Sequence, residues 1–521
     1  MFAKVIELFV NSQRNFYFLL AFSLVAILFT HPFLRYPYDV FAHLMEIDNV
    51  ENITSIQEKR QLWHLLWRKF FYFFSIPNSE IFFRAKIIHI LQTYVAFFSI
   101  FLFSHVVIRN LFKDIDKTIL NYLSLWSVVI WFTIFATFSV HYQIVWTLWY
   151  SVNYQITLPL FWYITALTLI VSLEETSIKT KVFFIFQILL ISRFILQVHS
   201  MEFLYYIMYL VVFSIVYLDK VYYFLKKYYY AAIPLIISII YFAKKYQPEK
   251  SKIFDYLEID KLPHLYHNIV LQGEKLIAGF NRADASINEL MVLIYYLGII
   301  VTLIVLRNKV LNTAHFLDFR KFIFIMITSM FVLVPIYELS AGLLAIVTRT
   351  SVVHRFYYSS SLYVLLPVFV YYLWYLKDNK NISIVKINVS LMFLLSSVWV
   401  YSKYDTSNQI YYKNVNSIKN SFFERRVGFN LSKQQIDLIG EKIKLYEKKN
   451  KTDKENFYYA RADISFVIKY IYGKKVLWKG RRVSPKYINI YNKTMTMTKH
   501  KKYNLILFDV PKGFPAYQPY R

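Results

Sequence analysis

The segment RYPYDVFAHLMEID (35–48) holds titratable side chains at helical spacing. Pro37 punctuates the chain, and a short helix from about Tyr38 carries Asp39, His43 and Glu46 at i, i+4 and i+7, on one face. A carboxylate held there can act as a general base, taking a proton from an attacking hydroxyl or amide, and partial desolvation tunes it toward that task. With His43 it can instead hold a divalent cation. A solvated, acid-capped helix start is the plainer reading of the same residues, because Asp in a first turn is ordinary. Asp48 lies about half a turn round the wheel from Asp39 at about 3.6 residues per turn, so it faces elsewhere.

Three further groups carry usable chemistry. TRTSVVHRFYYSSS (348–361) contains Arg349, His354 and Arg355. Arginine grips phosphate through a planar fork and His354 adds a donor, which makes a clamp for a phosphate or pyrophosphate; snorkelling to lipid headgroups uses the same residues. HYQIVWTLWYSVNY (141–154) offers Trp146, Trp149, Tyr150 and Tyr154. Such rings stack on sugars, and they also form the aromatic belt of any membrane interface. His199 and Glu202, in QVHSMEF, sit at a short turn, either approaching the same cavity or serving as a neutral His tied to a helix end.

These residues need elements to hold them, and the composition says what kind. The 521-residue chain is 57% hydrophobic with mean hydropathy +0.38, above the roughly 45–50% apolar share of a soluble domain. The excess comes in continuously apolar blocks such as FYFLLAFSLVAILF (16–29), many of them near the 20 or so residues a helix needs to cross a bilayer. Barrel strands would alternate instead. Helices are expected at 16–34, 83–112, 117–137, 155–173, 180–198, 202–219, 229–243, 286–306, 321–346, 359–377 and 383–402, about eleven spans. The first block runs into HPFLRYPYD without a small-residue cleavage pattern and reads as a retained span. Cysteine is absent, which excludes disulfides, iron–sulfur clusters and cysteine nucleophiles. No internal repeat is evident, against transporters built from two related halves.

Lys and Arg gather at the N-terminus and in 113–117, 179–181, 220–227, 307–321 and 377–380, all on one side of the expected bundle, which the positive-inside rule makes cytoplasmic. Segments 35–82, 138–154, 199–201, 244–285 and 347–358 then lie outside, and an odd span count puts 403–521 outside too. In the first outer loop, SIQEKRQLWHLLWRKFFYFF (55–74) repeats Trp63, Leu66, Trp67 and Phe70 at helical spacing among basic residues, as a helix lying in the interface would. Loop 244–285 has no nucleophile elbow, Walker loop or zinc pattern, and can fold over the site. The formal charge is +28, more than half of it in 403–521. That tail joins a Lys-rich helix near 433–449 to alternating stretches such as YNLILFDV (503–510), a small α/β module able to select an acceptor and to meet anionic headgroups, with no nucleic-acid partner expected. The expected organisation is a transmembrane region, 1–402, and a soluble basic region, 403–521, in a multi-pass plasma-membrane protein.

DVFAHL, following a first transmembrane helix, resembles the Asp-x-x-x-His-Leu signature in the first extracytoplasmic loop of GT-C glycosyltransferases, archaeal oligosaccharyltransferases among them; Asp39 and His43 match it position for position. The resemblance covers about ten residues plus the topology. It implies a GT-C-like all-α polytopic fold with an extracytoplasmic C-terminal domain, a polyprenyl-phosphate-linked sugar donor, and an acidic catalytic residue, here Asp39. The tail carries no Trp-Trp-Asp-type acceptor motif and the outer loops no Asp-x-Asp pair. The expected activity is inverting hexosyl or pentosyl transfer to a glycan, lipid or protein acceptor. Asp39 is its base, His43 orients that base or shares a metal, and Arg349 with Arg355 steadies the leaving phosphate. An O-antigen ligase or polymerase, which relies on outer arginines, is the nearest alternative. A lipid flippase or transporter is the next, disfavoured because ionic residues within spans are scarce beyond Arg193 and Glu338.

Overall fold

A computed structural model describes residues 35–49, 62–131, 154–219, 317–334, 358–378, 385–394, 433–449 and 455–476, apart from a few positions within them, the short strands 428–429, 497–499 and 504–507, and the single residues Tyr222, Lys226, Ile300 and Ser340. The expected spans 16–34 and 229–243, the loop 244–285 and, apart from Ile300, the span 286–306 lie outside the described residues.

The described chain is mostly helical, and it is a membrane protein. Among the described residues, three helices are long and apolar enough to cross a bilayer: Phe83–Leu111, Gln155–Leu173 and Ile178–Val198. They lie within α3 (Ile81–Leu111), α5 (Tyr154–Leu173) and α6 (Ile178–Val198). Between α3 and α5 runs α4 (Lys117–Ile130), and after α6 come α7 (Ser200–Val216), α8 (Phe319–Ser329) with a 3-10 turn at Met330–Leu333, and α9 (Leu362–Asp378). At about 1.5 Å per residue α3 reaches about 46 Å, longer than the roughly 30 Å hydrocarbon core, so it is long enough to cross that core even when tilted. α6 bares Val182, Phe186, Leu189 and Leu190 on its outer side, an apolar surface that needs lipid to cover it.

α3 packs on α4 and α5, α5 on α6 and α7, and α8 on α7 and α9. Buried Trp162 stands edge-on to Tyr209 and Tyr363, and Phe103 stands edge-on to Tyr209 and tilted against Trp162. Small polar residues let α8 and α9 approach closely: Thr328 and Ser361 hydroxyls meet at 2.6 Å, and Ser360 Oγ donates to the Ser329 carbonyl at 2.5 Å. The bundle end where α3 finishes is closed by caps. Asp116 accepts the Thr118 and Ile119 N–H groups at 2.8 and 3.2 Å, Ser177 caps α6, Asp318 caps α8, and Arg109 pairs with Glu174.

At the opposite end, where α3 begins, two short helices sit before it: α1 (Tyr38–Asn49) and α2 (Leu62–Phe73). α1 starts where Pro37 breaks the chain, as the sequence predicts. α2 corrects one detail, because Trp63, His64 and Phe71 are buried while Leu66, expected on the same apolar stripe, is about half exposed. The residues just before α1, β1 (Arg35–Tyr36), pair in parallel with β2 (Gly428–Phe429). Further along, α10 (Lys433–Lys449), a three-stranded mixed sheet and α11 (Ala462–Phe466) surround a second apolar cluster that includes Ile439, Ile443, Ile464, Val467 and Ile506. In that sheet β5 (Asn504–Leu507) is central, parallel to β3 (Asn456–Tyr459) and antiparallel to β4 (Met497–Lys499). Gly440 lets α10 approach its neighbour, since a Cβ there would meet the Tyr472 ring at 2.5 Å. α11 runs into a π-turn, Val467–Ile471, and packs on α1.

Candidate functional site

α1 is covered from both sides, by α2 and by α11, so Leu44, Met45 and Ile47 are buried with His43 and Glu46. A hydrogen-bond chain holds α2 onto the bundle. Trp63 Nε1 donates to Gln92 Oε1 of α3 at 2.9 Å, and Gln92 Nε2 donates to Gln155 Oε1 of α5 at 3.2 Å. Such buried side-chain amides fix helix register when their partners are met, as here.

Where α1 and α2 cross, three polar side chains converge. His43 Nδ1 lies 2.8 Å from His64 Nε2, and Glu46 Oε2 lies 3.0 Å from that His64 nitrogen and 3.7 Å from His43 Nδ1. All three residues are buried. The two imidazoles stack at 5.1 Å between centroids, and Trp63 stands edge-on to both, at 5.4 and 4.9 Å. The indole therefore sets the tilt of both rings. Imidazoles and a carboxylate so placed can pass a proton or bind a divalent transition ion.

Asp48 belongs to a different face of α1. Its carboxylate, 1% exposed, takes Arg84 Nη1 at 2.9 Å on one oxygen, and Lys469 Nζ at 3.3 Å together with the Tyr470 hydroxyl on the other. Desolvation, with the Asp48 charge beside it, pushes the Tyr470 hydroxyl well above the usual phenol range, so it stays protonated and donates. Arg84 also lies over the Phe71 ring, 4.8 Å from its centroid, and donates to the Ile76 carbonyl. Asp48 thus ties α1, α3 and the π-turn together and has no contact role toward the histidines.

Of the residues predicted from sequence, His43 and Glu46 share the converging face. Asp39 lies one helical turn before His43 in α1, with its side chain outside the described residues. His199 and Glu202 form their own pair, Nδ1 to Oε2 at 2.5 Å, at the one-residue break between α6 and α7, and are not part of the His43 cluster. Tyr154 begins α5, its side chain outside the described residues, and Trp146, Trp149, Tyr150, Arg349, His354 and Arg355 also lie outside them. Sequence reasoning missed His64. Its partner stands 21 residues earlier on another helix, and the only local signal was a histidine beside Trp63 in an amphipathic stretch.

Compared with known proteins, the chain matches no family model, no curated protein and no solved structure. Fold and site by themselves define a helical membrane protein with a buried His–Glu–His cluster at one end of its bundle.

Proposed function

We propose that this protein is a polytopic, GT-C-like glycosyltransferase that moves a sugar from a polyprenyl-phosphate carrier to an acceptor on the extracytoplasmic side. The observation that carries this reading is the burial of His43 and Glu46, one and two turns from Asp39, at the bundle end where α3 and α5 begin. The loop charges assign that end to the outside, where nucleotide sugars are absent and a lipid-linked donor is the available one. In this scheme about eleven spans hold the site, and the basic residues 403–521 form an outer α/β domain that presents the acceptor. Asp39 takes the acceptor proton, the acceptor oxygen or nitrogen displaces the lipid phosphate with inversion, and Arg349 with Arg355 stabilises the charge that grows on that phosphate.

Purified protein supplied with radiolabelled polyprenyl-phosphate sugars is expected to move label out of the lipid fraction. Retention of all label in lipid, with hexosyl and pentosyl donors and with envelope-derived acceptors present, overturns the reading.

Arg349→Ala and Arg355→Ala are each expected to weaken donor use by about 1.5–3 kcal/mol, the value of a charge-assisted contact. That corresponds to roughly 10–150-fold in donor affinity. Lysine at either position should recover part of it, because the charge returns without the fork. Donor titrations that coincide for wild type and both alanine variants would make these arginines headgroup anchors.

A further inference from the structure

We infer that His43, Glu46 and His64 form a binding site for one zinc-class divalent ion. Three observations meet at this point. The first is the donor set, two imidazole nitrogens and one carboxylate oxygen, whose contacting atoms all lie within 4.8 Å of one another. Zinc–nitrogen bonds of about 2.0–2.1 Å and zinc–oxygen bonds of about 2.0–2.2 Å put the ligand atoms of a tetrahedral site roughly 3.3–3.4 Å apart. The separations here, 2.8, 3.0 and 3.7 Å, bracket that value, so rotations of a few tenths of an ångström complete the geometry.

The second is the convergence of the ligand atoms. His64 Nε2 faces both His43 Nδ1 and Glu46 Oε2, so three atoms with lone pairs crowd one point between α1 and α2. A single cation meets all three at once. Imidazole nitrogen favours zinc and its neighbours over magnesium, which demands oxygen ligands in near-octahedral array.

The third is the support around the ligands. Trp63 packs edge-on against both rings and is itself anchored through Gln92, which fixes ring orientation in the way outer partners of metal ligands do. Among the described residues the site has three protein ligands, the number found in zinc centres that meet substrate, where a fourth position is left for it. One helical turn from Asp39, such an ion can polarise a hydroxyl or accept charge from a departing phosphate. That use rests on the glycosyl-transfer reading, whereas binding of the ion does not.

The test uses the full chain, purified in detergent, stripped with chelator and titrated with zinc chloride, with zinc per chain measured after dialysis and the spectrum recorded after cobalt replacement. Wild type is expected to retain one zinc per chain and to give the intense visible bands of four-coordinate cobalt. His64→Gln and Glu46→Gln should each lose zinc affinity by about 10²-fold or more, beyond the 10–100-fold that outer partners cost. His199→Gln, in the separate pair beside α7, should bind as wild type does. Wild type that holds no zinc overturns the site whatever the variants do, and so does zinc held equally by wild type, His64→Gln and Glu46→Gln. Zinc bound as expected without sugar transfer would keep the site and remove the glycosyltransferase; transfer by zinc-free protein lacking the cobalt bands would do the reverse.

Discussion

Asp39→Asn is expected to slow sugar transfer by about 10²–10⁴, the usual cost of losing a general base. Asparagine keeps the size and a hydrogen-bonding end while removing the charge, so the loss would report basicity and not packing. The His43→Ala variant separates two versions of the mechanism. If His43 only orients the carboxylate, the loss is smaller than for Asp39→Asn; if His43 holds zinc, the two losses are comparable and chelation silences the wild type as well. Rates are compared at equal membrane expression. Transfer that survives Asp39→Asn removes the base mechanism and favours a ligase-like enzyme that works through its outer arginines.

The largest expected effect on stability belongs to Asp48. Asp48→Leu leaves Arg84, with 5% of its side chain exposed, and Lys469 facing each other without their anion. Breaking a buried pair from one side typically costs about 3–5 kcal/mol, because the surviving charge is stranded in a low-dielectric site. Removing both partners, as in Asp48→Leu with Arg84→Met, should be markedly milder, since replacing a buried pair by apolar groups is often near neutral. Thermal unfolding in detergent of the two single variants and the double variant measures this coupling. Strictly additive effects would mean that the Asp48–Arg84 contact contributes nothing to the fold. Asp48 consequently makes a poor inert comparator for Asp39, even though it points away from the converging face.

What the sequence revealed and what it hid follow the range of the interactions. The spans expected at 83–112, 155–173 and 180–198 appear as helices Ile81–Leu111, Tyr154–Leu173 and Ile178–Val198, because a run of apolar residues declares itself locally. The break at Pro37 and the Lys-rich helix at Lys433–Lys449 were visible for the same reason. Within the stretch read as one span over 321–346, α8 tightens into a 3-10 turn at Met330–Leu333, which hydropathy does not sense, and nearly all of 335–346 lies outside the described residues. His43 and Glu46 were legible as a pair at i and i+3. Their companion His64 was not, since only the crossing of α1 and α2 brings it within 3.0 Å of Glu46. Arg84, Lys469 and Tyr470 were hidden for a stronger reason: no periodicity connects a carboxylate to groups on α3 and on a turn more than four hundred residues away.

That last separation bears on how the molecule is made. Lys469 lies 421 positions after Asp48, and at about 5–20 residues per second a ribosome needs roughly 20–80 s to cover that distance. Throughout that interval the nascent chain has α1 in hand but neither the tyrosine nor the lysine that fastens it, and β1 waits almost as long for Gly428–Phe429. The newborn protein therefore reaches the bilayer with α1 unlatched and fastens it only once the residues around 428 and 469 have been translated. A ribosome that stalls between residues 430 and 468 would leave a chain whose β1 is paired while Asp48 still lacks its lysine and tyrosine.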